Sequence, residues 1–280
     1  SKEEIEVNTG VEENLSGYRN IALFGIDTRD DTYEGSRSDC IMIASINHDT
    51  KEIKIVSVYR DTYLNIPGRG LDKVNHAYAY GGPALSMSTL NTNLDLDITE
   101  FVTVNFTATK DIINAIGGVT LTVTDAEAKS IPRITKGGKY LLDGEQALAY
   151  GRIRKIDSDY KRTERMRTVV MAVFEKAKTM SITELNKLAN QLLPEIYTNI
   201  SATEILALIP KIYSYSIVES QGWPYETRGI TLGGVWYGPP VNLAKNVAEL
   251  HKTLFGKTEY VPTETVQEIS NNIINKTGYR

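Results

Sequence analysis

The sequence predicts an α/β fold, drawn as a single three-layer α-β-α domain with a mixed central sheet. Three observations predict it. Short apolar runs alternate with amphipathic helical stretches along nearly the whole chain. No linker or break in composition divides those stretches, and 280 residues fit one large domain. Hydrophobic residues make up 41% and charged residues 24%, ordinary values for a globular protein that buries a core.

The elements follow in order. Residues 1–17 are acidic and polar and read as a flexible or loosely docked lead-in to a domain spanning 18–256. IALFGI (21–26), CIMIASI (40–46) and IKIVSVY (53–59) are strand candidates, and the turn-rich NHDTKE makes the last two an antiparallel hairpin. ALSMSTLNTNL follows Gly81, Gly82 and Pro83 as a helix with the proline near its first turn. FVTVNF (101–106) is a strand, TKDIINAIGG a helix closed by Gly117 and Gly118, and VTLTVT (119–124) an alternating strand. DGEQALAYG reads as a short helix leading into a strand at 152–154, and a long helix runs from about Tyr160 to Met180. Two further helical stretches reach to about residue 215. Extended segments fill 217–241, and NLAKNVAELHKTLFG forms a last amphipathic helix. Residues 257–280 are polar and are expected to be a frayed or weakly docked tail.

Charge is distributed unevenly. The formal net charge is −4, yet GRIRKIDSDYKRTERMR (151–167) carries seven basic residues against three acidic ones. Arg152 and Arg154 alternate on the expected strand. At helical spacing Arg162 and Arg165 share a stripe with Met166, Val169 and Val173, while Glu164 and Arg167 take the outer side. Arginines on an inward stripe require an anion, because an unpaired buried guanidinium is costly. The pattern therefore points to a polyanion site; a solvated basic helix face would set the arginines opposite the valines.

A second group of charges converges by topology. Asp27 follows the first strand, Arg37 and Asp39 precede the second, and Arg60 and Asp61 close the third. In a hairpin the start of one strand and the end of its partner share a sheet edge, so Asp39 and Arg60 are expected neighbours. A first strand parallel to the third adds Asp27. Carboxylates beside arginines at a strand-end rim suit Mg2+ bridging them to a phosphorylated ligand. Taken singly, each aspartate reads as a turn or cap residue paired with a local arginine. It is the convergence that favours the site.

Other chemistry is excluded or weak. Cys40 is the sole cysteine and lies in an apolar run, which rules out a disulfide scaffold and a cysteine-based zinc site. The three histidines are far apart in sequence, and no nucleophile elbow, Walker loop or dinucleotide fingerprint occurs. No apolar stretch reaches the ~20 residues of a membrane span, and no signal peptide is present. The polar start SKEEIEV is what an excised ectodomain would show, and a true cytosolic start would read the same. Aromatic stretches around Tyr78, Tyr80 and residues 213–237 read as core and surface packing by default, with a lipid or sugar groove as the alternative.

Taken together, IALFGIDTRDD, RSDCIMIASI, SVYRDTYLNIPG, KVNHAYAYGG and YGRIRKIDSDYKRTERMR resemble, in order and spacing, the LytR-CpsA-Psr family of Gram-positive cell-wall enzymes. The resemblance runs from about Tyr18 to Phe255. It implies an extracytoplasmic, Mg2+-dependent phosphotransferase held at the cell membrane by one N-terminal helix absent from this chain. Such an enzyme moves an anionic glycopolymer, wall teichoic acid or capsular polysaccharide, from a polyprenyl-pyrophosphate carrier to a muramic-acid hydroxyl of peptidoglycan. Carried over by position, Asp27 and Asp39 resemble the metal-binding carboxylates, with Asp27, Asp39 and Arg60 as the catalytic set. Arg37, Arg60, Arg152, Arg154 and Arg162 match pyrophosphate-binding arginines, and Lys73 and Arg165 fall within matching blocks. Where the family places glutamine after the equivalent of Arg165, this chain has Met166, which cannot donate to a phosphate.

Arginines and a metal around a pyrophosphate stabilise the charge that builds on the leaving group. The lipid needs an apolar tunnel, for which the helices from 170 to 215 against the sheet are one candidate; their leucines, isoleucines and valines are equally well explained as core. Two other readings belong to different classes. A transcription attenuator or other nucleic-acid binder is opposed by the acidic net charge and the lack of a helix-turn-helix signature. A module that holds the carrier without turnover draws mild support from Met166.

Overall fold

The computed structural model describes residues 4–28, 33 and 35–280. Helix α1 (Val11–Asn14) leads into strands β1 (Tyr18–Ile26), β2 (Ser38–Asn47) and β3 (Glu52–Val58), which pair antiparallel in sequence. The β2–β3 turn is set by Asn47, whose side-chain oxygen accepts from the backbone N–H groups of Asp49 and Thr50. A hairpin of β4 (Tyr63–Ile66) and β5 (Gly70–Lys73) crosses to α2 (His76–Leu94). That helix breaks at Gly81 and Gly82, the second at φ 63°, and resumes at Pro83. Strand β6 (Glu100–Val104) returns parallel to β1, and Asn105 caps α3 (Phe106–Ala115) by accepting from the Ala108 N–H.

A satellite unit follows. Strands β7 (Val119–Val123) and β8 (Gly138–Leu142) flank α4 (Asp125–Ala128), and α5 (Gly144–Gly151) starts from a reciprocal Asp143–Gln146 capping box. Then come α6 (Asp159–Lys178), α7 (Ile182–Leu192), the short edge strand β9 (Tyr197–Thr198) and α8 (Ala202–Leu208). Strand β10 (Ser216–Trp223), the hairpin of β11 (Ile230–Leu232) and β12 (Val235–Tyr237), α9 (Leu243–Phe255) and α10 (Glu264–Thr277) complete the chain.

The central sheet runs β10-β3-β2-β1-β6-β9; β10–β3 and β1–β6 are parallel and the other pairs antiparallel. It is mixed, as the sequence predicts. Strand alternation sorts the core into two faces. Ala22, Phe24, Ile41, Ile43, Val56 and Val58 pack beneath α2, α9 and α10. Met42, Ile53 and Ile55 meet Met166, Val170, Met171 and Phe174 of α6 on the other face. Helices α3 and α5 and the β7–β8 hairpin close over the far side of α6 through Val119, Leu121, Ala147, Tyr150 and Val169.

Three expectations are corrected. Residues 152–154 are not a strand: Arg152 ends α5, its N–H bonding back to Leu148 and Ala149, and the chain then turns into α6. The 257–280 tail is docked, with Val266, Ile269 and Ile273 of α10 buried in the main core. The lead-in is docked as well, since Val11 and Leu15 join that core. Both ends converge on Asp95, a fully buried carboxylate that accepts from the Asn8 amide, the Tyr260 hydroxyl, and the Thr263 N–H and hydroxyl. No sequence period links these partners, since Asn8 and Thr263 are 255 residues apart.

Candidate active site

The β1–β2–β3 connectivity builds the site. Strand β1 is antiparallel to β2 and β2 to β3, so the end of β1, the start of β2 and the end of β3 share one edge. The register pairs Gly25 with Cys40 and Ile26 with Ser38, leaving Asp39 in a bulge beside the exposed Asp27. Glycine is required at 25, because a Cβ there would lie 2.9 Å from the Cβ of Cys40.

Asp39 is the hub. Its Oδ1 lies 3.3 Å from Arg60 Nη1 and its Oδ2 lies 3.8 Å from Arg154 Nη2, while its backbone carbonyl accepts from Arg162 Nη2 at 3.4 Å. The N-terminal turn of α6 supplies a second carboxylate. Asp159 Oδ1 stands 3.4 Å from Arg162 Nε and 3.7 Å from Arg60 Nε. Asp61 lies 3.8 Å from Arg60 Nε and pairs with Lys73 Nζ at 3.1 Å. Arg162 is only 2% exposed. Burial pushes its pKa below the ordinary guanidinium value; Asp159 opposes that shift, and the like charges of Arg60 and Arg154 add to it. Arg60 and Arg154 meet the Asp39 carboxylate and the desolvated Arg162 its backbone carbonyl, so three guanidiniums converge on one residue in an arrangement suited to an anion.

Of the other predicted residues, Arg152 is exposed, with its guanidinium 4.1 Å over the Phe106 ring. Arg37 is exposed on the lead-in to β2, where its charge is felt by the Tyr80 hydroxyl. Arg165 is not brought to the cluster. It is 5% exposed; its Nε donates to Glu127 at 2.7 Å, one Nη to Asp157, and the other to the Ile153 carbonyl. The inward stripe holds, and the anion it demanded is protein for Arg165. Arg167 is not outward either: it is 6% exposed and donates from Nε to Ser220 Oγ, because α6 is covered both by β10 and by the satellite unit. Asp159 was missed. Its signal was available, since Ser158 caps α6 and places Asp159 three residues from Arg162 on the same stripe.

An apolar cavity of about 140 Å³ opens beside this cluster. Ile26, Val104, Leu148, Met166 and Val170 wall it, with Asp39 and Arg152 at its polar margin. It therefore lies between β1, β2, β6 and α3, α5, α6, rather than among the helices from 170 to 215. Met166 adds apolar wall at the position where a glutamine was expected. Cys40 also lines the cavity, and burial lifts its thiol to about 12. The folded protein is expected to resist iodoacetamide at pH 8 and to alkylate fully once unfolded; stoichiometric labelling in the native state would contradict this.

No group of three or more His, Cys, Asp or Glu side chains fit for a metal occurs among the described residues. Asp27 and Asp39, on adjacent strand ends, are the hard-oxygen residues here that could hold a divalent cation, and in this structure the Asp39 oxygens face Arg60 and Arg154.

An arginine cluster at the strand ends of a mixed α/β sheet, flanked by an apolar cavity, defines a site suited to an amphiphilic phosphate ester. The chain belongs to the LytR_cpsA_psr family, whose model matches residues 1–253. It is 38% identical over 224 residues to the polyisoprenyl-teichoic acid–peptidoglycan teichoic acid transferase TagT of Bacillus subtilis, covering 75% of this chain and 70% of that protein. A structure of TagT bound to LIIa-WTA superposes with a TM-score of 0.69 at 29% identity, covering 94% of this chain and 92% of that one. A structure of TagT with bound octaprenyl pyrophosphate lipid gives 0.64 at 26% identity, covering 98% and 95%.

Proposed function

We propose that this protein is a transferase that moves an anionic glycopolymer from a polyprenyl-pyrophosphate carrier to peptidoglycan, forming a phosphodiester. One observation carries the reading: the Arg60, Arg154 and Arg162 guanidiniums meet at Asp39, at the margin of an apolar cavity. A diphosphate joined to a hydrocarbon needs those two environments side by side. The likeness to a teichoic acid transferase, and to structures holding WTA and octaprenyl pyrophosphate, supports the same donor.

In this reading Arg60, Arg154 and Arg162 bind the pyrophosphate, with Arg152, Arg37 and Lys73 around it, and the first isoprene units enter the cavity past Met166. The acceptor hydroxyl oxygen bonds to the glycan-bearing phosphorus. The bond from that phosphorus to the bridging oxygen breaks with its electron pair, and polyprenyl monophosphate leaves. The hydroxyl proton passes to a rim carboxylate, Asp27 or Asp39. Mg2+ held by Asp27 and Asp39 would supply further charge neutralisation on the diphosphate. Pre-positioned guanidiniums, that of Arg162 desolvated, stabilise the leaving group's developing charge with little reorganisation.

No helix among the described residues is long and apolar enough to cross a membrane. We place the domain outside the cytoplasm, at the membrane surface where carrier and peptidoglycan meet. Incubation with a lipid-pyrophosphate disaccharide donor, peptidoglycan and Mg2+ is expected to yield glycan-labelled peptidoglycan, lost on chelation and restored by Mg2+. Donor binding with no transfer would overturn the transferase reading in favour of a carrier-holding module.

A further inference from the structure

A second cavity, of about 230 Å³, lies next to the arginine cluster and shares Asp61 and Asp159 with it. Tyr59, Tyr160 and Trp236 give it ring surfaces; Asp61, Asp159 and Thr227 give it oxygens. The Tyr59 and Tyr160 rings meet edge to face at 4.5 Å. The Trp236 indole, 49% exposed, lies against Gly229, where an added Cβ would fall 2.7 Å from its Nε1. Glycine there lets the ring lie on the backbone and leaves half of it open. The wall is fixed: the Gly238 N–H donates to the Asp61 carbonyl at 2.9 Å, and Thr227 Oγ1 donates to the Pro239 carbonyl at 2.8 Å.

Exposed aromatic faces beside fixed carboxylates and a hydroxyl recognise a neutral polyol ring. The rings cover its C–H faces and the oxygens take its hydroxyl and amide protons. Two carboxylates argue against an anionic occupant at this point.

We infer that this cavity is a saccharide subsite, and that it seats the sugar ring of the acceptor glycan. The assignment to the acceptor rests on the transfer reading given above. Arg60 stands between the two cavities, with Nη1 toward Asp39 at the margin of the apolar one and Nε toward Asp159 and Asp61 in the aromatic one. Phosphoryl transfer sets attacking and leaving oxygens roughly in line. A leaving lipid phosphate drawn to the apolar cavity puts the entering hydroxyl on the far side of Arg60, where Tyr59, Tyr160 and Trp236 lie. A donor sugar is the other source of the same ring chemistry, and kinetics separate the two.

The probe for binding is chitotriose, an uncharged N-acetylhexosamine trimer, titrated without donor or metal. The chain has two tryptophans, and Trp223 is fully buried with Nε1 donating to the Asn246 carbonyl. A saturable change in emission therefore reports Trp236, and it is expected in the wild type. By calorimetry, Trp236→Ala is expected to weaken chitotriose about tenfold, as loss of one stacked ring implies, with Trp236→Phe recovering most of it. In transfer assays Trp236→Ala is expected to raise KM for peptidoglycan about tenfold and leave KM for the lipid donor unchanged. An unaltered emission spectrum at saturating chitotriose overturns the subsite. A rise in donor KM instead of acceptor KM overturns the acceptor assignment. The titration needs no turnover, so an inactive protein that still binds chitotriose at Trp236 would defeat the transferase reading and leave the subsite standing.

Discussion

Arg60→Ala is expected to cut the transfer rate about 10²–10³-fold, the loss seen when one preorganised donor is removed from a developing anion. Arg60 is the guanidinium that meets three carboxylates: Asp39, Asp61 and Asp159. Its removal therefore withdraws a donor from the diphosphate and leaves Asp39, Asp61 and Asp159 without that shared partner. Arg60→Lys keeps a charge without the planar fork, so it is expected to recover binding of the donor more than the rate. Single-turnover rates with saturating donor, read beside a thermal melt, separate these effects. The side chain is partly solvated at 25% exposure, so the melt is expected to change little. Wild-type turnover in Arg60→Ala would remove the arginine cluster from the mechanism altogether.

The rim was legible because its logic is local. Two adjacent apolar runs with a turn between them make a hairpin, and hairpin geometry alone brings Asp39 to Arg60. The inward aim of Arg162 followed from helical spacing and the valine it shares a stripe with. What the sequence did not carry was the identity of partners brought by long loops. Glu127 reaches Arg165 from 38 residues away, on a four-residue helix whose amphipathicity is too short to read. Arg167 was assigned to solvent on the premise that α6 has one buried face; the satellite unit gives it two. The tail looked polar because α10 buries a narrow stripe, Val266, Ile269 and Ile273, between exposed glutamates and asparagines. The aromatic subsite is assembled from the ends of β3 and β12 and the start of α6, and neither alternation nor helical period links such positions.

Arg165→Met is expected to destabilise the fold by about 3–5 kcal/mol, because it strips the cation from Glu127 and Asp157 around a nearly buried position. Methionine fills most of the volume, so the loss measures uncompensated charge more than a cavity. Adding Glu127→Gln removes the worse-placed of the two orphaned charges, Glu127 being 8% exposed, while its amide oxygen can still accept the Thr124 N–H that caps α4. The double variant is therefore expected to be more stable than Arg165→Met alone, a coupling of the sign that contact between the two side chains requires. Denaturant midpoints of the single and double variants check this. The same residue is where position and structure part company. By position Arg165 falls in a block matched to pyrophosphate binding, whereas its guanidinium is already bound to two carboxylates and a carbonyl. Were it a ligand group, Arg165→Met would leave the midpoint near wild type and weaken the lipid donor. If instead it braces α6 against α4, the midpoint falls, and donor affinity measured well below it stays close to wild type.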